Sequence, residues 1–107
     1  MITASEAFKQ SIAVSRRIET ENIEYITLRV LPCIEKAIRE AIKTGKTAIQ
    51  LTEHEFSYDV SCKIPFLLSE LAAILKYYGY NLNYSTTKIF ATDFELNINW
   101  RDNVWNV

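Results

Sequence analysis

In residues 64–100, IPFLLSELAAILKYYGYNLNYSTTKIFATDFELNINW, a helical apolar rhythm stops at Gly79 and a two-residue rhythm runs out at Trp100. Leu67, Leu68, Leu71, Ile74, Leu75 and Tyr78 recur at helical spacing. Tyr80, Leu82 and Tyr84 then alternate, and after a polar interval so do Phe94, Leu96, Ile98 and Trp100. The spacing predicts a helix that starts with Pro65 in its first turn and closes at Gly79. A strand over 80–84 and a terminal strand near Trp100 follow, with Lys88–Thr92 extending one arm of that hairpin. Because strand side chains alternate, Phe94, Leu96, Ile98 and Trp100 share a core face while Glu95, Asn97, Asn99 and Arg101 face water.

Working upstream, Thr47–Thr52 reads as a strand with Ile49 and Leu51 on one face. Residues 53–62, EHEFSYDVSC, read as an ordered loop or a continuing strand with weak alternation at Phe56, Tyr58 and Val60. From Glu21 to Lys43 the helical pattern is firm: Ile23, Ile26, Val30, Ile34, Ala37, Ile38, Ala41 and Ile42 share one broad face. Glu35 with Arg39 and Lys36 with Glu40 mark its wet side. Pro32 has no amide hydrogen and collides with the preceding turn, so it should kink this helix or divide it near Leu31. Gly45 after Thr44 closes it. At the start of the chain, Thr3 and Glu6 have capping-box spacing, followed by an imperfect stripe of Ala7, Phe8, Ile12, Val14 and Ile18. Residues 1–20 therefore read either as a helix packed on its own domain or as a docking arm.

The resulting fold class is α+β, in the order α-α-β-α-β-β, with a small three-stranded mixed sheet and helices on one face. A strand, a crossover helix and a second strand favour a parallel pair, with the last strand returning antiparallel. At 107 residues the chain suits one domain. The tail 102–107 frays unless Trp105 finds a pocket.

Composition excludes more than it assigns. Apolar residues are 49% and charged residues 23% of the chain, the balance of a globular domain rather than a disordered one. A net charge of −1 disfavours a general polyanion binder, which needs many Lys and Arg to displace counterions from phosphates. No apolar run approaches the roughly 20 residues that span a bilayer, and the first residues lack the basic and apolar blocks of a secretory signal. A soluble, cytoplasmic protein with no membrane partner is the expectation. Cys33 and Cys62 have no metal or dithiol spacing and read as idle thiols, although a disulfide between them is geometrically conceivable.

There is no phosphate-cradling glycine loop and no nucleophile elbow. His54, between Glu53 and Glu55 with Asp59 nearby, is the one cluster resembling acid–base or metal chemistry, and its spacing imposes no common site. Neither a catalytic residue, a metal nor a cofactor is therefore assigned. Aromatic residues concentrate in the C-terminal half. Those outside the core rhythm, Tyr77, Phe90 and Trp105, join Phe8 and Ile12 as candidate partner-binding residues; without an interleaved basic stripe, nucleic-acid stacking is disfavoured.

Several junctions give a loose family resemblance: Met1-Ile2-Thr3-Ala4 before a helix, Glu35-Lys36-Ala37-Ile38 leading to Thr44-Gly45-Lys46, and Gly79-Tyr80-Asn81-Leu82 followed by Ile98-Asn99-Trp100. In these the chain resembles small uncharacterised accessory proteins of tailed bacteriophages. Pro32 and the long segment 53–62 depart from the simpler pattern. The resemblance implies a viral context, in the cytoplasm of an infected bacterial host, and no mechanism. The expected function is non-enzymatic: self-association, together with binding of a host or phage protein, as an inhibitor or minor virion component. The alternative is a small-ligand or nucleotide-sequestering protein using Arg16, Arg17 or Lys88 for phosphate. A hydrolase built on His54 ranks below both.

Overall fold

In the computed structural model, which describes residues 1–86 and 93–101, Thr3 Oγ1 accepts from the Glu6 backbone N–H at 3.2 Å and opens α1 (Ala4–Tyr25). The chain then stays helical through a π-helical turn, Ile26–Val30, into α2 (Leu31–Lys43). No boundary falls near residue 20. The division expected at Leu31 takes the form of that wider turn. Pro32 brings no donor, and its ring would strike the carbonyl of Leu28. The π turn relieves this, with the Leu31 N–H reaching back five residues to Ile26 O.

The extra residue also resets the helix's phase. Each residue turns an α-helix by about 100°, so one insertion brings Ile34, Ile38 and Ala41 onto the side of the rod held by Asn22 and Ile26. Ile26 and Val30 are fully buried and Ile34 nearly so.

Both long core helices end on a glycine. Gly45, at φ +76°, donates to Ile42 O while Lys46 N–H donates to Ala41 O, each at 3.0 Å. Gly79, at φ +91°, repeats the pattern on Lys76 O, with Tyr80 N–H on Leu75 O. In each case the paired bonds satisfy carbonyls the helix leaves open.

The strands are β1 (Ala48–Thr52), β2 (Asn81–Ser85) and β3 (Glu95–Asn99), in the spatial order β1-β3-β2. The architecture is α+β with three strands, but both hydrogen-bonded pairs are antiparallel, not mixed. β1 and β2 do run in the same direction. The expected parallel pair does not form, because β3 inserts between them. Leu96 and Ile98 within β3, and Phe94 just before it, are the most deeply buried side chains of the sheet, which suits the central position, whereas Asn81 and Asn83 suit an edge. Ile49, Ile98 and Leu82 form one cross-sheet row and Leu51, Leu96 and Tyr84 the next. This side carries the core, and Gln50, Asn97 and Asn83 align on the other face.

The ambiguous segment 53–62 is neither loop nor strand. A 3₁₀ turn, Glu53–Glu55, precedes α3 (Tyr58–Lys63), and a second 3₁₀ turn, Ile64–Phe66, leads to α4 (Leu68–Tyr77). Phe56, Val60 and Ile64 lie four apart and are all buried, a helical spacing masked by the alternation at Tyr58. Pro65 sits in the second 3₁₀ turn, ahead of the α-helix it was expected to open. Cys62 lies within α3, and both cysteines are free thiols. The arm at Lys88–Thr92 and the tail 102–107 lie outside the described residues.

Candidate functional site

α1 buries none of its 22 residues. A helix rod from residue 4 to 43 is about 60 Å long at 1.5 Å per residue, and the molecule measures 62 × 38 × 23 Å. Its radius of gyration is 16.9 Å, against about 13 Å for a compact domain of this length. The excess is the arm. The core of the domain covers the rod from Ile26 onward, and the first four turns project beyond it.

The rod's contacts with the domain begin near Asn22, whose Nδ2 donates to Glu70 Oε1 at 3.4 Å. Tyr25 is half-buried and its ring receives Lys63 Nζ 4.4 Å from the centroid. Helical rotation places Ala4, Ala7, Ser11, Val14 and Ile18 in line with Asn22 and Tyr25. The core-facing side therefore continues, uncovered, along the arm. Phe8 is 67%, Val14 44% and Ile18 48% exposed, while Ile12 is half-buried. Where the arm leaves α4, Ala7, Ser11, Val14 and Ile18 form one wall of an open groove of about 830 Å³, with Ser69 and Glu70 at the domain end.

Phe8 and Ile12 do not line this groove, since helical rotation puts them about 80° and 120° from the middle of the stripe, and the remaining sequence candidates do not converge on it either. Arg16 and Arg17 are both exposed on α1, about 100° apart around the helix, and Arg17 Nε lies 3.9 Å from Glu21 Oε1. Tyr77 is 85% exposed and packs edge-on against Tyr78 at 5.3 Å. Beside that pair is a smaller apolar cleft of about 300 Å³ between α2 and α4, lined by Ile34, Ile38, Leu75, Tyr78 and Tyr80. Lys88, Phe90 and Trp105 lie outside the described residues. Sequence reasoning missed Phe66, which is 85% exposed; it stands beside the apolar run at Leu67 and Leu68, so periodicity gave it no separate face, and the 3₁₀ turn directs it outward.

The His54 cluster is a joint of the fold. Thr52 and Glu55 form a reciprocal capping box, with Thr52 N–H donating to Glu55 Oε2 at 2.6 Å and Thr52 Oγ1 to the same oxygen at 2.7 Å. Glu53 Oε2 accepts from Phe94 N–H at 3.3 Å, and its backbone carbonyl accepts from Ser61 Oγ at 2.8 Å. The carboxylate of Glu53 is held below its usual range, first by its own backbone N–H, then by that of Phe94, against an opposing cost of burial. His54 is 84% exposed and touches Glu53 alone of these carboxylates, Nε2 to Oε1 at 3.2 Å. Among the described residues no group of three His, Cys, Asp or Glu could hold a metal ion. The same Thr-x-x-Glu spacing read at Thr3 and Glu6 was present at Thr52 and Glu55.

No helix among the described residues is long and apolar enough to cross a membrane. Comparison with protein-family models, with curated proteins and with solved structures finds no match.

Proposed function

We propose that this chain is a non-enzymatic interaction protein of the phage accessory type, and that α1 is its docking element. One observation carries the reading. A 22-residue helix with no buried residue keeps an apolar stripe in line with the core-facing side of the same rod. A helix that served only as a solvent-facing strut would be polar all round. Contiguous exposed apolar surface edged by polar residues is the ordinary mark of a protein interface. The nearly balanced charge of the chain suits a protein partner better than a nucleic acid.

The test is a double substitution in that stripe, Val14→Glu with Ile18→Glu, assayed for self-association and for retention of host or phage proteins. Because neither side chain is part of the core, thermal stability should stay within a few degrees of the parent while association is lost. Unchanged association would remove α1 from the interface. The alternative, phosphate capture by Arg16 and Arg17, gains no support from their placement on separate sides of an exposed helix.

A further inference from the structure

We propose that the occupant of the α1 face is a second copy of this chain, lying antiparallel so that Glu6 of each copy meets Arg17 of the other; this rests on the docking reading above. Sterics choose the direction. The domain sits on the same side of the rod as the free stripe, beginning near Asn22 and Glu70. A parallel copy would put its own domain into that occupied space, whereas an antiparallel copy directs its domain to the far end. The free length then sets the register. α1 starts at Ala4 and the α4 groove closes at Glu19 and Glu70, so full overlap places Ala4 opposite Glu19, with the two-fold axis between Ser11 and Ile12.

That register was fixed without reference to side chains, and the side chains agree with it. In this register positions that sum to 23 stand level, so Phe8 is level with Ser15 of the second copy, Ile18 lies one residue from the level of Ala4, and Val14 lies midway between the levels of Ala7 and Ser11, which leaves small residues opposite each large one. Glu6 and Arg17 lie on the same flank of the stripe, about 20° apart around the helix. Like flanks face one another in an antiparallel two-fold pair, which brings these opposite charges together twice. Glu6, Arg17, Phe8 and Ile18 are all exposed in the single chain.

Helix energetics point the same way. Ser11, Ile12, Val14, Ser15, Ile18 and Thr20 are middling helix formers, and helices in proteins gain most of their stability from packing an amphipathic face. A second copy supplies that packing. A two-helix contact of this size falls at the low end of stable interfaces, so the expected dissociation constant is micromolar.

Sedimentation velocity on the full chain at low salt tests this with Glu6→Arg and Arg17→Glu. Each variant alone should dimerise about tenfold more weakly, because two exposed attractive contacts become repulsive. An equimolar mixture of the two should recover the parent affinity as a heterodimer. One chain is then positive at both positions and the other negative at both, so each of the two contacts is attractive again. Each variant should match the parent's circular dichroism at concentrations where both are monomeric, as both positions are exposed. A parent chain that is monomeric throughout the micromolar range overturns the inference, and so does a dimer broken by Ile18→Asp without heterodimer recovery; neither touches α1 docking to another protein. A dimer indifferent to Ile18→Asp and to both charge changes overturns the inference and the docking reading together.

Discussion

The hydrogen bond from Asn22 Nδ2 to Glu70 Oε1, 3.4 Å long, joins the projecting helix to α4 at the point where the rod meets its own domain. On the C-terminal side of it, Ile26, Val30 and Ile34 are sealed into the core; on the N-terminal side, Val14 and Ile18 stand nearly half exposed. One continuous helix thus serves two environments, and substitutions along it should separate accordingly.

Ile98 is fully buried at the centre of the sheet, in register with Ile49 and Leu82. Ile98→Ala should cost about 3 kcal/mol, combining lost transfer energy with the cavity left behind. Ile18→Ala should stay within about 0.5 kcal/mol, as surface changes do. Urea denaturation of both variants at low protein concentration checks the contrast; equal losses would place the arm inside the fold.

Thr52 holds the turn that ties β1 to α3. Removing its hydroxyl in Thr52→Ala abolishes one arm of the capping box with Glu55 and should lower stability by about 1 kcal/mol, measured by the shift in denaturation midpoint. Thr20→Ala, which deletes only an exposed bond to Arg16 O, is the matched control and should leave that midpoint in place.

Acid should weaken the same joint. Both Glu53 and Glu55 are held below the ordinary value of 4.5, Glu55 chiefly by the Thr52 hydroxyl. A carboxylate whose folded value lies below its unfolded one adds stability above the unfolded value, and that contribution disappears as pH falls through the folded one. Stability should therefore decline from about pH 4.5 downward. The double variant Glu53→Gln with Glu55→Gln should be less stable at neutral pH and show a flatter acid limb, read by thermal melts across that range.

Gly45 closes α2 at φ +76°, and a Cβ there would meet nothing within 4 Å. Gly45→Ala should thus cost about 1 kcal/mol from backbone conformation alone, with no steric clash added. A larger loss in chemical denaturation would mean that the cap does more than terminate the helix.

Much of this architecture was legible in the chain. Leu71 and Leu75, then Leu96 and Ile98, announced their elements because burial repeats at the period of the backbone, and the two glycines marked both helix ends. Strand order was not legible: nothing local to Phe94–Trp100 says that it inserts between β1 and β2. α3 was hidden because Phe56, Tyr58 and Val60 alternate, although Phe56, Val60 and Ile64 already had helical spacing. Along the arm, the stripe of Ala7, Val14 and Ile18 was visible, but sequence periodicity marks an apolar face without saying whether the chain's own core reaches it. That depended on where α4 ends its contact, a tertiary fact.

The central claim, that α1 is a docking helix awaiting a partner rather than a piece of the core, is tested most directly by amide hydrogen exchange over residues 4–18 as protein concentration rises. The account predicts rapid exchange there in dilute solution while residues 30–43 stay protected, with protection of the arm appearing as chains associate. Arm protection equal to that of α2 at every concentration would contradict it.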